Sequence, residues 1–163
     1  MGGTAPQNPV DFSYWLSWNM MVSAGQRQRL LECSSTVERL RLQLDILRRM
    51  GFMSCGRCQL RICHHEQLFH MSAEGPVSAF VNPGGVVHET ATFYKATNLV
   101  LVGSKSEEHS WFPGYAWTIA VCARCRGHIG WRFTAVHGDS VPRHFWGLSR
   151  ATLRPVMAVE DDD

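Results

Sequence analysis

No run of apolar residues in these 163 approaches the roughly 18 that a membrane-spanning helix needs. The most apolar patch, Phe12 to Val22, is interrupted by Ser13, Ser17 and Asn19. It has no basic flank before it and no small-residue cleavage site after it, so it does not read as a secretory leader. An excess of one charge is also missing. The net charge is +2, and residues 51–155 carry ten Lys and Arg against six acids. That is too mild to recruit nucleic acid by charge alone. Neither a membrane nor a nucleic-acid partner is therefore expected. There is no internal repeat beyond two cysteine pairs. Without a leader, the six cysteines point to a metal site in a reducing compartment rather than to three disulfides.

What remains divides the chain unevenly. Residues 1–10, with two Pro and two Gly among few apolar residues, read as disordered. Residues 11–50 read as a helical segment, with one helix over 26–50. There Leu30, Cys33, Val37, Leu40, Leu44 and Leu47 fall at alternating spacings of three and four, which makes one apolar stripe. Gly51 is its stop signal. At 1.5 Å per residue such a helix would be roughly 37 Å long. Its stripe needs cover, either from its own domain or from a partner.

After Gly51 the period changes. Residues 67–71, 77–81, 87–97, 99–102, 117–122 and 128–136 are strand-like. Turn signals bound them, among them Gly75-Pro76, Asn82-Pro83-Gly84-Gly85, Gly103-Ser104, Pro113-Gly114 and Gly138-Asp139. Many short strands without alternating helices predict an antiparallel, mainly β domain over 51–155. Residues 156–163 end in four consecutive acids and read as a solvated acidic tail.

Cys55-Gly-Arg-Cys58 and Cys122-Ala-Arg-Cys125 are two knuckles separated by 63 residues. Each puts two thiolates on one tight turn, and two such turns complete a tetrahedral shell for one Zn²⁺. Closing a 63-residue loop costs roughly 3.7 kcal/mol of chain entropy. Structural zinc contributes an apparent ~10–16 kcal/mol, so the metal can offset that cost. Four thiolates leave no open coordination position, which predicts a structural and not a catalytic ion. Cys63, His64 and His128 lie outside the paired knuckles, and Cys33 reads as a packing residue.

The second knuckle sits at the tip of a hairpin. Pairing Cys122 with Arg126 places Trp117 directly opposite Trp131, with Ile119 and Phe133 on the same face. The Pro113-Gly114 turn can fold Trp111 back beside them. A core cluster is the bland account of these rings. A loop rarely buries a ring as large as Trp111 without reason, which favours a cage. Such a cage could hold a cation on its π faces, or a flat uncharged ring whose polar edge meets loop backbone. Trp146 reads as core.

HSWFPGYAW, the C-x-x-C that follows it, HIGWRF, FWGL and the upstream FVNPGGVVHET resemble the thalidomide-binding (CULT-type) domain of the cereblon family. The resemblance covers residues 51–155, and DFSYW with VERLRLQLDIL is similar to the helices before that domain. It implies two antiparallel sheets leaning together over the zinc (a β-tent), with a pocket on one sheet. It further implies that Trp111, Trp117 and Trp131 form the cage. His109 and Trp111 would hydrogen-bond a cyclic imide, with Asn82, Pro83, Ser110 and Phe133 at the rim. The implied role is that of a non-enzymatic substrate receptor in a cullin-RING ubiquitin ligase, located in cytoplasm and nucleus. Its ligands would be thalidomide-type drugs and C-terminal cyclic-imide degrons, and its adaptor could contact the N-terminal helix. Gly84 departs from the family, which more usually has His there, and the family's Lon-like domain is absent from this sequence.

Two other functions compete. A zinc-containing methionine sulfoxide reductase would need a reactive cysteine outside the metal shell, and only Cys63 is a candidate in this domain. A methyl-lysine reader would want an acid-lined cage, for which Glu107 and Glu108 lie close enough.

Overall fold

The computed structural model describes residues 5–72 and 75–157. Three helices open the chain: α1 (Pro9–Asn19), α2 (Ala24–Glu32) and α3 (Thr36–Arg49). Residues 1–4 of the segment expected to be disordered lie outside the described residues. The rest of that segment leads directly into α1, where the Asn8 side chain accepts from Val10 N–H and Pro9 occupies the first turn. The single helix expected over 26–50 is two helices. Ser23 and Gln26 form a capping box at the start of α2, and Ser35 caps α3, so residues 33–35 break the helix.

The expected apolar stripe is also turned. Val37 and Leu44 are exposed, whereas Arg39 and Gln43 are fully buried. Arg39 donates to Leu30 O, Cys33 O, Ser13 Oγ and Tyr14 Oη, and its guanidinium lies 3.9 Å from the Tyr14 ring centre. Gln43 donates to Ser13 O and Ser17 Oγ. The helices therefore meet through a hydrogen-bonded polar seam, and Met20, Val22 and Leu30 supply the apolar part of their packing. Among the described residues no helix is long and apolar enough to cross a membrane.

Among the described residues ten strands follow: β1 (Met50–Cys55), β2 (Arg61–His64), β3 (Leu68–Phe69), β4 (Val77–Val81), β5 (Val87–Phe93), β6 (Leu99–Ser106), β7 (Tyr115–Cys122), β8 (His128–Ala135), β9 (His144–Ser149) and β10 (Leu153–Met157). They form two antiparallel sheets. The small one runs β10-β1-β2; the large one runs β3-β5-β9-β8-β7-β6, with β4 also paired to β5. This is the expected mainly β architecture of two sheets joined at four cysteines. Strands β1, β2, β9 and β10 were not anticipated, and β10 carries regular structure through Met157, into the stretch read as tail. Residues 158–163, which hold the tail's acids, lie outside the described residues.

The main core lies between the sheets. Met53, Ile62, Phe93, Ile129, Leu148 and Leu153 are all buried there, beside Cys55 and Cys122. A second cluster lies under the face of the large sheet: Phe112, Tyr115, Phe133 and Phe145. Two glycines let the sheet close here. A Cβ on Gly130 would lie 2.2 Å from Gly147 O, and one on Gly147 would lie 2.6 Å from the Phe133 ring. Gly130 thus allows β8 and β9 to approach, and Gly147 leaves room for Phe133 to lie beneath the pocket.

Candidate functional site

The two knuckles are built alike. Gln59 N–H donates to Cys55 O and Arg126 N–H to Cys122 O, both at 2.9 Å. Gln59 and Arg126 both adopt positive φ, at 62° and 60°. Cys55 N–H donates to Leu60 O and Cys122 N–H to Gly127 O, closing each turn in the same way. One knuckle joins β1 to β2 and the other joins β7 to β8, so the pair ties the small sheet to the large one.

The four sulfurs lie within 4.8 Å of one another. Cys55 Sγ is 3.6 Å from Cys125 Sγ, and Cys58 Sγ is 3.5 Å from Cys122 Sγ. Bonds of ~2.3 Å to a tetrahedral zinc place sulfurs ~3.8 Å apart. A disulfide would need ~2.05 Å, so these are thiols gathered for a metal. Burial works to raise the Cys122 thiol, but the backbone N–H groups of Cys125 and Arg124 and the neighbouring thiols outweigh it, lowering it to about 7. The donor set fits one structural zinc held by Cys55, Cys58, Cys122 and Cys125.

Beside Ile119 and Trp117, three and five residues back along β7 from Cys122, the large sheet carries a cavity of about 350 Å³. Trp117, Ile119, Trp131 and Phe133 line it from β7 and β8, and the loop residues Glu108, His109 and Trp111 close one side. Asn82 and Pro83, at the tip of the β4–β5 hairpin, close another. The register differs from the one expected. Trp117 pairs with Phe133 and Ile119 with Trp131, a slip of two residues: the knuckle closes Cys122 on Gly127 instead of Arg126, and a bulge between Ala120 and Val121 adds the second step. The four side chains still share one face, so the cage survives the slip, with the two indoles diagonal rather than opposite.

Each wall is fixed by a hydrogen bond. Trp117 Nε1 donates to Glu108 O at 2.8 Å, and Trp111 Nε1 donates to Val81 O at 3.2 Å. Trp111 stacks on Phe80 with centroids 5.0 Å apart and meets Trp131 edge-on at 4.8 Å. Below, Phe112 touches Phe133 and Phe145 at 4.7 and 4.9 Å. The aromatic set is thus both things the sequence allowed: the phenylalanines form a core, and three half-buried indoles stand above it around open space. The loop is shaped by His109, with φ of 55°, and by the turn from Ser110 N–H to Glu107 O. Among the described residues, nothing bonds the backbone N–H and C=O groups of His109 and Trp111.

The family described as "Yippee zinc-binding/DNA-binding /Mis18, centromere assembly" matches residues 52–162. The chain belongs to this family. Within it, the chain is 46% identical over 159 residues to the protein named cereblon from Gallus gallus. It is 48% identical over 153 residues to that from Danio rerio, and 34% identical over 153 to that from Drosophila pseudoobscura pseudoobscura. These alignments cover 97%, 93% and 93% of this chain but only 36%, 36% and 25% of the relatives. The chain therefore spans about a third of the length of the curated vertebrate relatives it matches. A crystal structure of a Mis18 'Yippee-like' domain aligns with 66% of this chain and 96% of its own, at 12% identity and a TM-score of 0.46.

In this Yippee/Mis18-family chain, seven of the eight residues proposed for the pocket line it. Ser110 does not. Its hydroxyl donates to Phe112 O and accepts from Phe112 N–H, so it shapes the loop from behind. Phe133 is the floor, 1% exposed, and not the rim. Glu108, weighed from the sequence only for a methyl-lysine cage, also lines the pocket. His88 was also overlooked: it stands edge-on to Trp131 at 5.1 Å and lies 3.3 Å from Asn82 Nδ2. Cys63 is buried, and that burial pushes its thiol up.

Proposed function

We propose that this chain is a ligand-reading module whose three-indole cage binds neutral cyclic imides, both thalidomide-type compounds and imides formed at protein C-termini. One observation supports this most. Three apolar indole faces stand next to a turn, His109 to Trp111, in which the backbone N–H and C=O groups of His109 and Trp111 are unused. A cyclic imide has a CH₂ edge for the indoles and an N–H flanked by two C=O groups for the backbone. A quaternary cation would gain from the π faces but leave those backbone groups unpaired, at ~1–3 kcal/mol. The acid at the mouth, Glu108, is 80% exposed and lies 3.5 Å from His109, so it offers little to a methyl-lysine.

An enzymatic reading has less support. The zinc is closed by four thiolates, and the remaining domain thiol, Cys63, is buried and disfavoured as a thiolate. The resemblance to cereblon adds a setting, that of a substrate receptor in a cullin-RING ubiquitin ligase of cytoplasm and nucleus. Adaptor binding is a separate part of this proposal. Apolar side chains that the helices expose, among them Leu31, Val37, Leu42 and Leu44, offer a surface for it.

The test is calorimetric titration of the zinc-loaded chain with glutarimide and, separately, with a trimethyl-lysine peptide. Glutarimide should bind and the peptide should not. Trp117→Ala and Trp131→Ala should abolish imide binding with one zinc retained. Binding of the peptide alone would replace this reading with the methyl-lysine one.

A further inference from the structure

The pocket wall formed by Asn82 and Pro83 stands on an unusual support. Residues Thr90–Phe93 of β5 are paired to β9, but Val87, His88 and Glu89 pair only with β4. β4 in turn has no neighbour except β5 among the described residues. The outer half of this hairpin is therefore a two-stranded ribbon projecting past the sheet, a form that is marginal in water by itself. Something else must set where its tip stands.

Two contacts link its base to the end of α1, one made directly by Asn19 and one relayed through Arg150. Asn19, 3% exposed, accepts from Val77 N–H, the first residue of β4, at 3.3 Å. Its Nδ2 is anchored on its own helix at Trp15 O. Gly75 lies so close that a Cβ there would come within 2.4 Å of Asn19 Oδ1. On the other strand, Glu89 Oε2 is 3.5 Å from Arg150 Nη1. Arg150, 7% exposed, donates through Nη2 to Trp18 O and Met20 O, the free carbonyls at the C-terminus of α1. A cation suits that helix end. At the far end the ribbon meets the cage through Trp111 Nε1 on Val81 O, through Phe80 stacked on Trp111 and through His88 edge-on to Trp131, so its position is set from both ends.

We infer that Asn19 and Arg150 are positioning residues for the pocket: they clamp the base of the β4–β5 ribbon to α1, so that the helical segment sets how closely Asn82 and Pro83 approach the indoles. The ligand arm of the test rests on the imide reading above; the clamp itself does not.

The experiment uses the full zinc-loaded chain with Asn19→Ala and, as a milder variant that keeps side-chain size, Glu89→Gln. Hydrogen exchange is followed without ligand, and glutarimide affinity is measured alongside. Loss of one such contact should accelerate exchange of residues 79–88 about fivefold, while β7 and β8 stay protected. Glutarimide affinity should fall by a similar factor, through faster dissociation. A merely structural role would instead lower the melting temperature and raise exchange evenly over both sheets. The inference is overturned if ribbon exchange in both folded variants equals that of the parent, or if it rises while imide affinity is unchanged. If the parent chain binds no imide, the ligand reading fails, and the exchange data alone decide the clamp.

Discussion

Removing the metal should unfold this domain rather than loosen it. Zinc at a four-thiolate site contributes an apparent ~10–16 kcal/mol, and a domain's whole net stability is about 5–15 kcal/mol. The structure shows why little would remain. Cys55 and Cys122 are 1% and 0% exposed and sit within the inter-sheet core beside Met53, Ile129 and Leu153. Without a cation, sulfurs 3.5 Å apart cannot all ionise, and the 63-residue loop between the knuckles loses its closure, worth roughly 3.7 kcal/mol. Chelation, or Cys122→Ala, should therefore abolish the near-ultraviolet circular dichroism of the tryptophans at room temperature. Native mass spectrometry of the untreated protein should show one zinc. The reasoning is refuted if the chelated protein keeps that signal and melts within about 4 °C of the zinc-loaded one, since such a shift reports only ~1 kcal/mol.

Two further outcomes follow from particular contacts. Gly130→Ala should lower both stability, by about 1–3 kcal/mol, and imide affinity, because the new Cβ meets backbone of β9 and must displace the strand that carries Trp131; Gly138→Ala, with open space around it, should change neither, and thermal melts with titrations check the pair. In the zinc-loaded protein at pH 8, iodoacetamide should modify half-buried Cys33 and spare buried Cys63, as peptide mapping would show; rapid labelling of Cys63 would revive the enzymatic reading.

Much of the site was legible because its signals are local. A C-x-x-C turn fixes two ligands within four residues, and two such turns imply the shell whatever lies between. The face shared by Trp117, Ile119, Trp131 and Phe133 follows from strand alternation, and it survives because the longer knuckle turn and the bulge together slip the register by two residues, an even number. The misses were non-local or polar. β1 and β10 pair residues about a hundred positions apart, Cys55 with Leu153, and neither segment alternates clearly. The helix over 26–50 was read by its leucines, but the face it buries is set by Arg39 and Gln43, whose partners lie on α1 and at the end of α2. The break is marked in the sequence by Ser35, which caps α3, and the leucine stripe alone does not reveal it. The ribbon's dependence on Asn19 needs the tertiary structure, since nothing near Asn19 in sequence points to Val77.

The central claim is that the cage reads a ring by its imide edge. The measurement that tests it most directly is paired titration of the zinc-loaded chain with glutarimide and its N-methyl derivative. The methyl group removes the ring's one donor and leaves its apolar area intact. Glutarimide should bind and change the fluorescence of the cage tryptophans, and the N-methyl compound should show no binding at the same concentrations. Equal affinity for the two would contradict the account, because the ring would then be held by its apolar faces alone.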